Sequence, residues 1–178
     1  MVYSEVPCEC AGTFTTNVVK AACVQWDQKV VYSGEPMQAV VVNSGIANAC
    51  TGEEGMRYCK ETGEAVEKLL PVSAENVLVA STGVIGMQLP IDRIEAGVEK
   101  LAKAKAETLE AGTLAAESIM TTDTISKQVA AEVEVGGVKV TIGGMSKGSG
   151  MIHPNMCTML GFITTDAVIT KEALTKAL

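Results

Sequence analysis

Gln38-Ala-Val-Val-Val-Asn43 and, further on, Asn76-Val-Leu-Val-Ala-Ser81 are the stretches whose reading decides the fold. Each is a short apolar run without alternation, the pattern of a strand covered on both faces. The first ends at Ser44-Gly45. The second runs into Thr82-Gly83, where glycine can free the backbone amide to point into a cavity. Between them, Thr51 and Glu54 have capping-box spacing, and Met56, Cys59, Gly63, Val66 and Leu70 share one helix face until Pro71 stops the helix. Gly63 costs helix propensity in mid-helix, which points to close packing there.

Outward from this unit, Pro90 opens a second amphipathic helix with Ile91, Ile94, Val98 and Leu101 on one face. A helical stretch over 112–120 leads into Thr121-Thr122-Asp123-Thr124. A hairpin is predicted from Ala130 to Ile142 around Gly136-Gly137. Val135 then faces Val138, Val133 faces Val140 and Ala131 faces Ile142, giving a wholly apolar side. The other side pairs Glu134 with Lys139 and Glu132 with Thr141, and a one-residue slip would exchange the two sides. Thr158 to Thr165 reads as a further strand, and a helix starts at Lys171. Alternating strands and helices give an α/β (α+β mixed-sheet) fold class.

A net charge of -7 without a basic patch excludes nucleic acid and anionic membrane as partners. No apolar run approaches a membrane span, and Met-Val-Tyr-Ser-Glu-Val-Pro has no signal-peptide character, so a cytoplasmic location is expected. Cys8, Cys10, Cys23, Cys50, Cys59 and Cys157 form no C-x-x-C pair, and His153 is the single histidine. Reduced thiols, mostly filling the core, are expected, with no metal. A Ser-His-Asp triad would have to use His153, which favours another way of activating a nucleophile.

Gly143-Gly-Met-Ser-Lys-Gly-Ser-Gly150 departs from a phosphate-binding loop, because Gly-Ser follows the lysine and no helix comes next. It is either a flexible strand connection or a tight backbone wrap that sets Lys147 in a site. Cys157-Thr158 admits three readings: plain structure, a Cys157 nucleophile paired with His153, or a Thr158 nucleophile. The third needs a base. If the bond before Thr158 is cut, the freed α-amine, with an ordinary pKa of about 7.7–8.0, can serve its own hydroxyl. Ser81-Thr82-Gly83 is an ordinary strand-to-loop turn or an oxyanion hole built from the Thr82 hydroxyl and the Gly83 amide.

Several longer motifs stand in order: Ala11-Gly-Thr-Phe-Thr-Thr-Asn17, Val42-Asn-Ser-Gly-Ile-Ala-Asn-Ala-Cys-Thr-Gly52, Ala80-Ser-Thr-Gly-Val-Ile-Gly86, Glu117-Ser-Ile-Met-Thr-Thr-Asp-Thr124, and Lys147 to Leu160. Together they resemble the ornithine acetyltransferase family (glutamate N-acetyltransferases of arginine biosynthesis). The resemblance implies a fold like that of N-terminal-nucleophile hydrolases, with 1–157 as the α-chain region and 158–178 as the start of a β chain. It implies self-cleavage between Cys157 and Thr158, Cys157 standing where the family usually has alanine. Thr158 would carry an acetyl group from N2-acetylornithine to glutamate, with Thr82 and Gly83 as the oxyanion pair and Thr121 and Lys147 as substrate-binding residues. A cationic Lys147 would favour a neutral Thr158 α-amine. No cofactor is implied, acetyl-CoA being an alternative acetyl donor, and the implied partner is the protein's own β chain in an α2β2 heterotetramer. Two alternatives stand beside this: a related self-processed aminopeptidase or amidohydrolase, and an inactive precursor segment.

Overall fold

Two three-stranded sheets organise the chain, described over residues 1–178 in a computed structural model. The first takes β1 (Val2–Cys8), β2 (Met37–Ile46) and β3 (Val77–Val84) in that order. β1 is antiparallel to β2, and β2 is parallel to β3, with Ser44 beside Thr82 and Gly45 beside Gly83. A parallel pair needs a long crossover, here made by α2 (Gly52–Glu67) and a short 3-10 turn at Ala74–Asn76.

The face predicted for α2 is the buried one: Cys59, Gly63, Val66 and Leu70 all lie in the core. Gly63 is there because a Cβ would stand 2.6 Å from the Ala74 carbonyl oxygen. The predicted capping box does not form. Thr51 holds the N-cap position, but its hydroxyl donates to Asn48 Oδ1 at 2.9 Å, and Glu54 turns outward to Arg57. Asn48 is fully buried: its Nδ2 donates to Gly55 O at 3.0 Å, and its Oδ1, which also needs a partner there, takes the Thr51 hydroxyl.

α1 (Ala22–Ser33) and β1 were not foreseen. Ala22, Trp26 and Val30 follow one another at helical spacing and are buried, a signal present in the sequence but short. β3 pairs with β2 on one side only, and α1 covers part of its free edge. Trp26 Nε1 donates to Val77 O at 2.9 Å, and Val79 N donates to Asp27 Oδ1 at 2.8 Å. Side chains here stand in for a missing neighbouring strand. Burial drives the Asp27 carboxyl up to about 8, the Val79 bond opposing this.

α3 (Ile91–Ala104) packs on α2 through Ile94, Val98 and Ala102. Leu101, expected on that face, is 38% exposed, because the i, i+4 row rather than the three-residue step meets α2. The helix expected over 112–120 is α4 (Leu109–Ser118), with the Thr108 hydroxyl capping Ala111 N. No helix is long and apolar enough to cross a membrane.

The second sheet runs β4 (Lys127–Val135), β5 (Val138–Lys147), β6 (Leu160–Thr165), all antiparallel. The hairpin has the predicted register, and Gly136 and Gly137 take the two positive φ values of a type I′ turn. Three details differ. The strands extend to Lys127 and Lys147, so Gly143 and Gly144 lie inside β5 and are no connection. The ion pair runs diagonally, Lys139 to Glu132, rather than to Glu134. Of the apolar side, only Val140 is buried; Val133, Val135, Val138 and Ile142 are exposed, since α1 and α2 pack on the first sheet and α4 covers little of the second. β6 starts at Leu160, leaving Thr158 in the turn before it, and α5 (Lys171–Ala177) closes the described chain.

The six thiols are free. Contrary to the expectation of core fillers, only Cys23 and Cys59 are buried, while Cys8, Cys50 and Cys157 are exposed.

Candidate functional site

Thr82 enters the site because β3 carries it past the Val77–Ala80 core run, beside Ser44 of β2. Asn43 braces this end of the parallel pair: it accepts from Ser81 Oγ at 2.6 Å and donates to Ile46 O at 2.9 Å. β3 continues past Thr82 to Val84, and the position after Thr82, paired with Gly45, needs glycine. Gly83 has φ +133, and a Cβ there would run into the Gly45 carbonyl.

Lys147 arrives from the other sheet, as the last residue of β5 opposite Leu160. It is 3% exposed and forms no ion pair. Its Nζ instead donates to Thr121 Oγ1 at 2.9 Å, Thr82 Oγ1 at 3.0 Å and Thr158 O at 3.3 Å. Such a buried amine is tolerable only with its donors satisfied, and these three oxygens do that. The Gly143–Gly150 stretch therefore sets Lys147 in a site by strand pairing rather than by a wrapping loop.

Thr158 completes the cluster. Its hydroxyl donates to Met151 O at 3.1 Å, and its carbonyl oxygen receives Lys147 Nζ and, at 3.5 Å, the Thr82 hydroxyl. The two donors thus meet the carbonyl of Thr158 itself, one residue beyond the Cys157–Thr158 peptide. Cys157 is exposed in the preceding turn, where Cys157 N donates to Pro154 O at 3.1 Å. Asn155 and Met156 take positive φ there, and no hydrogen bond joins His153 to Cys157.

These groups surround a cavity of about 630 Å³. Thr82, Gly83, Thr121, Lys147 and Thr158, drawn from four places in the chain, all line it; Cys157 does not. Further lining comes from Ser44, Gly45, Thr122, Ser149 and Met151, none of them expected from the sequence to be a site residue. Ser44-Gly45 carried a signal, the polar end of a buried strand. Lys147 is the one charged side chain on the wall. A cavity with one cationic-type donor, several hydroxyls and a threonine can hold an anionic or carbonyl group and present it to an oxygen nucleophile.

The fold is a mixed-sheet α/β fold of the ornithine-acetyltransferase-like kind, resembling the N-terminal-nucleophile hydrolases in architecture. The chain belongs to the ArgJ family, whose sequence profile matches residues 1–178. It is 56% identical over 178 residues to the arginine biosynthesis bifunctional protein ArgJ of Symbiobacterium thermophilum, covering 100% of this chain and 44% of that protein. With the Bacillus subtilis protein of the same description it shares 46% identity over 178 residues, 43% of that protein. The chain thus spans less than half the length of these relatives.

Among solved structures it is similar to the ArgJ protein of Bacillus halodurans, with a TM-score of 0.80 and 40% identity over 89% of this chain and 80% of that one. It is also similar to the ornithine acetyltransferase of Mycobacterium tuberculosis complexed with ornithine, with a TM-score of 0.75 and 38% identity over 89% of this chain and 81% of that one.

Proposed function

We propose that this chain supplies the nucleophile and the oxyanion donors of an enzyme that moves an acetyl group from N2-acetylornithine to glutamate. The convergence of Lys147 Nζ on Thr82, Thr121 and Thr158 carries this reading. In a first step, Thr158 Oγ attacks the Cys157 carbonyl carbon, the C–N bond breaks, and water hydrolyses the resulting ester. Cys157 becomes a carboxylate and Thr158 a chain terminus with a free α-amine. That amine then accepts the hydroxyl proton as Thr158 Oγ attacks the acetyl carbonyl, and returns it to the departing ornithine amine. Glutamate's amine next attacks the acetyl-threonine ester and restores the hydroxyl.

Negative charge on the acetyl oxygen falls to the Thr82 hydroxyl and the Gly83 amide, donors whose individual loss typically costs about 2.7–4 kcal/mol of transition-state stabilisation. Thr121 and Lys147 hold the substrate's carboxylate end. No carboxylate lines the cavity, so ornithine's side-chain ammonium takes its counter-charge from outside this wall. The reading extends to a protein's own β chain as partner in an α2β2 heterotetramer, to a cytoplasmic location, and to acetyl-CoA as an alternative donor with no cofactor.

Intact mass under denaturing conditions and acetyl-labelled N2-acetylornithine test this in the full-length protein. Two chains meeting at Cys157/Thr158 and label on glutamate are expected. A single uncut species removes the free α-amine, and label found only as acetate replaces transfer by hydrolysis. Thr158→Ala abolishes both steps; retained transfer in that variant removes Thr158 from the chemistry.

A further inference from the structure

We propose that Asp123 is a positioning residue for this site, one that holds Thr121 and Lys147 at hydrogen-bond distance from behind the cavity wall; the proposal rests on the acetyl-transfer reading above. Thr121 and Lys147 belong to segments that part company just before they reach the cavity. The β4–β5 ladder stops at the pair Lys127–Ser146. Thr121 lies in the connection before β4, and Lys147 ends β5, so strand pairing alone does not fix one against the other.

Asp123 bridges the gap. Its Oδ1 accepts from Gly148 N, the residue after Lys147, at 2.9 Å, and also from Lys127 Nζ. Oδ2 receives Thr121 N at 3.5 Å. Lys127 Nζ closes the ring by donating to Gly148 O at 3.2 Å. The carboxylate thus takes the place of the next ladder pair, with both backbone groups of Gly148 held by side chains from the Thr121 side. Its side chain is covered from solvent contact by these partners, although it lies shallow in the molecule. Asp123 does not touch the cavity, whose wall here is Thr121, Thr122 and Lys147. Its effect passes through them: a displacement of about 1 Å in a group that aligns the reacting atoms can cost on the order of a hundredfold in rate.

The test compares Asp123→Ala and Asp123→Asn with wild type in the full-length protein. An amide oxygen still accepts from Gly148 N, whereas alanine accepts nothing. Asp123→Ala is expected to lower kcat for acetyl transfer on the order of tenfold or more, with a smaller change in KM, and Asp123→Asn to recover most of that loss. The proposal is overturned if Asp123→Ala keeps kcat within about twofold of wild type, or if the two variants lose activity equally. Should wild type itself transfer no acetyl group, the acetyl-transfer reading falls, and amide hydrogen exchange at Gly148 in uncut Thr158→Ala protein decides the role of Asp123 separately. Faster exchange on adding Asp123→Ala upholds the bridge, and unchanged exchange refutes it.

Discussion

Lys147 Nζ donates to the Thr82 hydroxyl at 3.0 Å, joining the end of one sheet to the end of the other across 65 residues of sequence. Because Thr82 also points its hydroxyl toward the Thr158 carbonyl, at 3.5 Å, the lysine orients the same hydroxyl that the proposed oxyanion hole uses. The pair is both a structural joint and a chemical one.

Lys147→Met separates these roles. Methionine fills a similar volume but leaves the Thr82 and Thr121 hydroxyls without their donor, a cost of about 1–3 kcal/mol. Acetyl transfer should fall by a factor on the order of a hundred or more, well beyond what that loss of stability alone produces in a still-folded protein. Transfer kinetics beside a denaturant melt check this; near-normal kcat would show that Lys147 only supports the fold.

Asp27 predicts a stability that declines with rising pH. Its folded pKa of about 8 lies above the ordinary carboxyl value, because burial penalises the charged form. The folded state therefore binds more protons than the unfolded one between roughly pH 4 and pH 8. This contribution is fully present below about pH 4 and is lost as pH rises through 8. Asp27→Asn keeps an acceptor for Val79 N and removes the titration. Its melting temperature should exceed wild type at pH 8, by a margin that shrinks as pH falls toward 4; a pH-independent difference would contradict the assignment.

Gly63→Ala sets two effects against each other. Alanine favours the helix interior by about 1 kcal/mol. Against this, the new Cβ would press on the Ala74 carbonyl from 2.6 Å, and the backbone must shift, which typically costs about 1–3 kcal/mol. Net destabilisation is expected in chemical denaturation, and a stabilised variant would mean the turn at Ala74–Asn76 yields easily.

Thiol labelling of the native protein should divide the cysteines by exposure. Cys8, Cys50 and Cys157 are accessible and should react first. Burial, reinforced by the nearby Asp27, pushes the Cys23 thiol up to about 11, and burial likewise raises Cys59, so both should wait for unfolding. Peptide mapping after brief alkylation distinguishes the two sets.

Local patterning by itself determined that 38–43 and 77–81 are strands, although β2 alternates buried and half-buried residues instead of being covered on both faces. It also determined the α2 face with Gly63 against a close neighbour and the hairpin register about Gly136-Gly137. Each is set by residues near one another in sequence, where side-chain period and glycine geometry leave few choices. Recognisable motifs likewise marked Thr82, Gly83, Thr121, Lys147 and Thr158, which line one cavity. Tertiary structure alone decided the rest. That Thr51 serves Asn48 instead of capping its helix depends on the buried amide beside it. Trp26 and Asp27 cover a strand edge some fifty positions away, which no local pattern announces. Likewise, Lys147 finds three oxygens and no carboxylate only when two sheets bring their ends together. Side-chain hydrogen bonding between distant segments is fixed by where the backbone goes, and the backbone's course follows from packing that a linear pattern does not contain.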